Sequence, residues 1–329
     1  RRWQDLTVGF VGYSEGCNDD VNKVVWSSLG WNPDSEIVDI LRDYARYLMY
    51  SPWADDLAQS LLALERNWEG PLLTNAGVFT TLMQVQDMER NAPPALLANW
   101  RFQQILYRAY YDAYTARRLL YETELEHEAM DTLRLAPRLG SDTALCRASE
   151  ILRKAMLEPV AQDLRSRVFE LAEALFQSIR MQLSVPRYRA IACDRGANLD
   201  LIDRPLNNRL WLESRFREIR NVSSEKDRLA AIDEIVRWSN PGPGGFYDNL
   251  GKTPEQPHLS ADVPWTKDPE FRVDPLLETP LFDPNRRTSW MSQAEARFDA
   301  PLVMRYTGLD PSARYKIRVT YAGIRMEHR

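Results

Sequence analysis

The chain opens on a continuous apolar and β-branched run, Leu6-Thr7-Val8-Gly9-Phe10-Val11-Gly12-Tyr13, that stops at Ser14-Glu15-Gly16. Apolar on both faces, it predicts a short interior strand of a parallel sheet whose flanking strands lie upstream in the polypeptide. Asp19 and Asp20 then favour a helix N-terminus, with Val21, Val24, Val25 and Leu29 on that helix and Gly30 as its stop. From Asp34 to about Asn240 the apolar spacing is helical. Ile37, Leu41, Tyr44 and Leu48 follow an Asp34/Ser35 cap and are limited by Pro52. Leu57, Leu61, Leu64 and Trp68 predict the next helix, closed by Gly70-Pro71. Helical spacing resumes near Phe79 and breaks at Pro93-Pro94. It returns as a long helix from Trp100 to about Leu135, carrying Phe102, Ile105, Leu106, Ala109, Ala113 and Leu120. Leu164, Val168, Leu171, Leu175, Ile179 and Leu183 form the clearest stripe, and Leu229, Ile232, Val236 and Trp238 mark a final helix.

After Asn240 the pattern is lost. Pro241-Gly242-Pro243-Gly244-Gly245 opens a Pro-rich, nearly period-free stretch, too long for a simple inter-helix loop and expected to wrap over a surface. Near the C-terminal end, Leu302–Tyr306, a Gly308-Leu309-Asp310-Pro311 turn, and Tyr315, Ile317, Val319 and Tyr321 alternating with polar residues predict a hairpin. Two strands are marginal alone, so the hairpin is read as the start of a C-terminal β-sandwich. The expected organisation is therefore mainly α. Residues 1–33 form the end of a sheet-containing domain, 34–240 one antiparallel all-α domain, 241–299 the wrapping segment and 300–329 the sandwich start.

Composition narrows the class. With 329 residues, 44% hydrophobic and 27% charged, the chain has the make-up of a globular protein of about two domains, not of a disordered, collagenous or coiled-coil one. Forty-two Lys and Arg against 47 Asp and Glu give a net charge of −5. That leaves no basic excess for nucleic acid. No apolar run approaches the roughly 18 to 20 residues that span a bilayer. Cys17, Cys146 and Cys193 match no zinc or redox spacing and read as buried thiols, with one disulfide possible.

Candidate chemistry centres on Glu15, a carboxylate at the C-terminal tip of the predicted strand, with Gly16 leaving room beside it. Rigid strand ends that open onto a shared pocket are where barrel enzymes hold catalytic groups, and glycoside hydrolysis needs two such carboxylates on different strands. Beside it, Tyr13, Asn18, Asp19 and Asp20 could contact sugar hydroxyls, while Asp20 reads first as a helix cap. Trp68, Trp100, Tyr110 and Tyr111 are either a platform for a pyranose ring or helix-helix core. His127, in Glu124-Leu125-Glu126-His127-Glu128, reads as part of a solvated face, because no second nitrogen or sulfur ligand is near. Gly244–Gly251 matches no phosphate loop and reads as a tight turn packed by Phe246 and Tyr247, or as the lining of a cleft. His258 is free to reach a pocket but has no nucleophile motif beside it.

The segment Tyr13-Ser14-Glu15-Gly16-Cys17-Asn18-Asp19-Asp20-Val21-Asn22-Lys23-Val24-Val25-Trp26-Ser27-Ser28-Leu29-Gly30-Trp31 resembles the one that ends the (β/α)8 barrel of the α-N-acetylglucosaminidase glycoside hydrolases. In that family a Glu-Gly pair leads through a polar turn into a helix ending Leu-Gly-Trp, and an all-α domain follows; Tyr44-Ala45-Arg46-Tyr47 resembles its start. Bacterial α-glucuronidases and related hexosaminidases share the plan. The likeness covers residues 8 to 50 and departs from the family pattern at Ser14 and at Asp19-Asp20. It implies a helical domain following the last strand of a truncated (β/α)8 barrel, and retaining hydrolysis of a glycan, N-acetylhexosaminides among them. Glu15 is the implied nucleophile, the acid/base glutamate lies on an upstream barrel strand of the same polypeptide, and neither cofactor nor metal is needed. Export to the periplasm or outside is implied as well. The rival expectation is a non-catalytic helical module that binds a glycan or a partner protein; an α/α-toroid lyase is disfavoured by the opening strand and the missing Tyr/His/Arg cluster.

Overall fold

The computed structural model describes residues 8, 9, 11–14, 16–69, 71–249, 258, 260, 272–275, 292–295 and 303–319. Its helices run over Asp20–Trp31 (α1), Ile37–Ala45 (α2), Ala54–Arg66 (α3), Gly77–Asn91 (α4), Pro94–Leu97 (α5), Trp100–Arg134 (α6), Ala136–Leu139 (α7), Ser141–Leu157 (α8), Gln162–Ile179 (α9), Val185–Tyr188 (α10), Arg209–Arg220 (α11) and Glu225–Val236 (α12). Two short strands, Arg272–Pro275 (β1) and Ser292–Glu295 (β2), pair antiparallel with Arg272 opposite Glu295. The chain is mainly helical, as its spacing predicts. No described helix is long and apolar enough to cross a membrane.

The chain divides into two compact units interleaved in sequence. Arg1–Arg117 and Ala161–Ile202 make the first; Arg118–Val160 and Asp203–Arg329 make the second. The division falls inside α6. In the first unit α2 packs on α3, and α3 on α4. The core is built from Leu57 and Leu64 of α3, Val78, Leu82 and Val85 of α4, Phe102, Ile105 and Leu106 of α6, and Leu164, Val168, Leu171 and Leu175 of α9. The α3, α6 and α9 residues are among those predicted, whereas Ile37, Leu48, Trp68 and Leu120, expected on inner stripes, are exposed, Leu48 for a local reason. After Ala45 the backbone widens into a π-type segment, Arg46–Tyr50, before a 3-10 turn at Ser51–Trp53. The wider turn rotates the register, and Leu48, expected on the inner stripe, is exposed.

The second unit has its own core: Ala129 and Leu133 of α6, Ala144, Leu145, Ala148 and Leu152 of α8, Trp211, Leu212, Phe216 and Ile219 of α11, and Ile232 and Ile235 of α12. Helix α8 begins behind Gly140, whose φ of 81° suits glycine alone. Its first N–H is met from α12, where the Glu225 carboxylate accepts from Ser141 N at 2.8 Å and from the Ser141 hydroxyl.

In the opening run, residues 8, 9 and 11–14 are not strand; Val8 and Val11 are fully exposed, with no described strand alongside to pair with. Helix α1 continues through Gly30 to Trp31 and stops where Asn32 turns extended. Near the C-terminal end, Val303–Arg305 bonds with the remote segment at His258–Ser260, through Ser260 N to Val303 O and Arg305 N to His258 O, both 2.8 Å. Residues 315–319 are non-strand, with Ile317 and Val319 exposed. Leu302 and Tyr321 lie outside the described residues, as does most of the wrapping segment.

Candidate functional site

The polar turn that follows Glu15 is tied into the first unit. Glu15 itself lies outside the described residues. Gly16, at φ 84°, starts a single 3-10 turn, Gly16–Asp19, that leads into α1. Lys23 Nζ donates to the Gly16 carbonyl at 2.9 Å, and Gln104 Nε2 of α6 donates to the Cys17 carbonyl at 3.3 Å. Asp20 takes the strongest links: its Oδ2 accepts from Tyr44 Oη and from Arg101 Nε, each at 2.8 Å. The Asp20 and Arg101 side chains are only 17% and 19% exposed. Burial first, and the Asp20 carboxylate second, push the Tyr44 phenol far above its usual range. Asp20 anchors the turn, spanning 24 residues to Tyr44 and 81 to Arg101, while the N-cap position of α1 is Asp19.

The other expected contacts sit around that anchor. Asn18 is exposed and lies beside Gly196, while Asp19 holds the N-cap position of α1 half-buried, with no side-chain capping bond. Tyr13 is 79% exposed. The four aromatic residues do not make a shared platform. Tyr110 and Tyr111 are interior, with hydroxyls donating to Glu89 at 2.6 Å and to the Asn198 carbonyl at 2.9 Å. Burial and Glu89 push Tyr110 up to about 12. The Trp68 and Trp100 rings are each covered by a guanidinium, Arg108 at 4.0 Å and Arg101 at 4.1 Å.

A second arrangement lies within the second unit, where the segment 246–249 alternates its side chains. Phe246 and Asp248 turn to one side. There Asp248 Oδ1 meets His258 Nδ1 at 2.7 Å, Oδ2 accepts from Tyr306 Oη at 2.7 Å, and Phe246 packs on both rings with centroids 5.0 Å apart. Burial and then the Asp248 bond push Tyr306 up to about 12. An Asp-His pair is half of a hydrolytic triad, but here the third member is a tyrosine on the carboxylate, with no nucleophile on the imidazole among the described bonds. His258, expected to be free, is therefore a structural clasp. Tyr247 and Asn249 turn to the opposite side and wall a depression of about 560 Å³, lined also by Glu126, His127, Met130, Asp131, Arg134, Asn208, Val236 and Ser239.

Among the described residues no group of three or more His, Cys, Asp or Glu side chains is placed to hold a metal ion. The three cysteines form no disulfide and, against expectation, none is fully buried: Cys146 is exposed and Cys17 and Cys193 are half-buried. No protein-family model matches the chain, and neither a curated protein nor a solved structure does. The residues that sequence reading missed, Tyr44, Arg101, Asp248 and Tyr306, act through pairings across long stretches of chain. Tyr44, Asp248 and Tyr306 lie in segments read from the sequence as helix stripe, turn and strand, and Arg101 in the predicted long helix, but no spacing tied any of them to its partner.

Proposed function

We propose that the chain is the helical C-terminal portion of a retaining glycoside hydrolase, with Glu15 as the nucleophile at the anomeric carbon. In this reading a barrel carboxylate upstream in the same polypeptide protonates the leaving oxygen, and water then resolves the glycosyl-enzyme intermediate. One observation carries it. The turn directly after Glu15 is fixed to the first unit through Asp20, Arg101, Tyr44 and Gln104, and a nucleophile needs such a supporting shell to hold its carboxylate within a fraction of an ångström. A turn that only led into a surface helix would need no part-buried ion pair. Asn18 and Asp19, beside the anchored backbone, are the groups this reading assigns to sugar hydroxyls.

The test is made in the intact parent polypeptide. Glu15→Gln keeps shape and removes the anionic attack, so turnover of an aryl N-acetylglucosaminide falls by several orders of magnitude while folding is unchanged. In Glu15→Ala, which empties the carboxylate's place, azide restores part of the rate as a glycosyl azide of inverted configuration relative to the normal product. Wild-type turnover by the Glu15→Gln protein would remove the assignment.

A further inference from the structure

We infer that the face of the first unit formed by the end of α9 and the short helix α10 is a docking surface for an acidic peptide segment of a partner protein. Three arginines carry the argument. Arg180 closes α9 and Arg189 closes α10, and both are exposed, as is Arg187 of α10. No Asp or Glu occurs between Glu173 and Asp194, in a chain whose net charge is −5. Among the described residues none of the three guanidiniums has a carboxylate within ion-pair distance. Arg180 instead lies over the Phe176 ring, 5.2 Å from its centroid, and Arg187 over the Phe169 ring at 4.8 Å. An aromatic ring covers the flat face of a guanidinium and leaves its N–H edge open, the edge that pairs with a carboxylate through two bonds. Phe176 stacks on Tyr188 with centroids 4.6 Å apart, and Gln182 Nε2 donates to the Tyr188 and Arg189 carbonyls at 2.9 and 3.1 Å, so the two helix ends are joined into one face. Glu173, which feels Arg187, has both oxygens engaged, by Gln177 at 2.8 Å and by the Tyr188 hydroxyl at 2.9 Å.

The backbone under two of these arginines points the same way. Arg180 and Arg189 both stand in the left-handed region, with φ 58° at each. Each ends its helix in a Schellman turn, in which Met181 N bonds to Leu175 O and Ala190 N to Ser184 O. Glycine fills that position freely, whereas any side chain there brings its Cβ against the following carbonyl. Two arginines held so give up stability and supply an outward positive charge in exchange. The partner that matches is a chain with carboxylates for the guanidiniums and an apolar side chain for Ile191, which is 82% exposed two residues beyond Arg189. A lipid surface calls for a broad apolar face, and Ile191 with Val185 is too little for one. An extended nucleic acid would run past the patch onto a chain of net negative charge.

Fluorescence anisotropy on the full 329-residue chain tests it, with a fluorescein-labelled peptide of repeating Asp-Glu-Leu as the probe and a Lys-Arg-Leu peptide, phosphatidylserine vesicles and duplex DNA for comparison. The acidic peptide is expected to bind with a Kd on the order of 10 to 100 μM at low salt, to loosen as salt is raised, and to bind more tightly than the other three. Arg187→Ala weakens it roughly tenfold, as does Arg180→Gly combined with Arg189→Gly, and Arg90→Ala on α4 leaves it unchanged. The double glycine variant keeps or raises the urea midpoint, because glycine relieves both left-handed positions. The inference is overturned by absence of binding to the acidic peptide, by undiminished binding in Arg187→Ala or in the double glycine variant, or by tighter binding of vesicles or DNA. A fall in the urea midpoint of the double glycine variant would overturn it too, by showing that the two arginines serve the fold. Because no turnover is measured, the outcome leaves the Glu15 assignment to its own test.

Discussion

At the scale of single residues, Asp20 shows how a side chain's role is set by what arrives from elsewhere in the chain. Its place at the head of α1 fits a cap, and for a cap Asp20→Asn would cost only a few tenths of a kcal/mol, since asparagine caps as well as aspartate. In the folded protein the carboxylate instead holds Arg101 and Tyr44 from a largely buried position. Asparagine keeps one carbonyl for these donors but gives up the charge that matches the guanidinium. Asp20→Asn is therefore expected to cost about 1 to 2 kcal/mol and Asp20→Ala about 3, the larger value reflecting an Arg101 left without its partner. Urea denaturation of the two variants decides it, and a loss of a few tenths for Asp20→Asn would return the residue to a capping role. The site was legible up to this point and no further: the polar turn stands out in the sequence, but nothing in the spacing ties position 20 to position 101.

Among the elements, legibility followed the size of the buried side chains. Helices α2, α3, α4, α6, α9 and α12 announce themselves through Leu, Ile, Val and aromatic residues at steps of three and four. Helix α8 buries Ala144 and Ala148 on half of its inner face, which writes only a thin stripe, and α11 places Trp211, Leu212, Phe216 and Ile219 among four arginines and two glutamates. The junction of α8 with α12 gives a test in which pH reports a single contact. The Ser141 hydroxyl, the Ser141 N–H and then Arg228 hold Glu225 below its ordinary value of 4.5. A carboxylate whose folded pKa is depressed binds fewer protons folded than unfolded, so its stabilisation is complete above the unfolded value and is lost as pH falls through the folded one. The stability difference between wild type and Glu225→Gln, followed by urea melts from about pH 7 to about pH 3, is expected to stay level down to about pH 5 and shrink below it. A difference that is constant over the whole range, or that grows toward acid, would show that the contact does not carry the shift.

On the scale of the whole molecule, helical periodicity could not say which helices share a core. Each stripe records only that a face is buried. The chain lays α2 to α5 and the start of α6 into one core, leaves it for α7 and α8, returns with α9 and α10, and leaves again with α11 and α12. Core substitutions read this division directly. Leu57 is fully buried in the first core, and Leu152 and Ile232 are buried in the second, where α8 packs on α12. Leu57→Ala and Leu152→Ala each remove a buried side chain and are expected to cost about 2 to 5 kcal/mol, and Ile232→Val about 0.5 to 1.5. Leu57 and Ile232 belong to separate hydrophobic clusters, so Leu57→Ala combined with Ile232→Val is expected to sum to within about 0.5 kcal/mol. Leu152→Ala combined with Ile232→Val opens space in one core, where the second loss relaxes into the cavity left by the first, and the pair is expected to depart from the sum by more than that. Guanidinium melts of the three single and two double variants supply both cycles. Equal coupling in the two would mean that the helices share one core after all, as their unbroken periodicity from Asp34 to Asn240 implies.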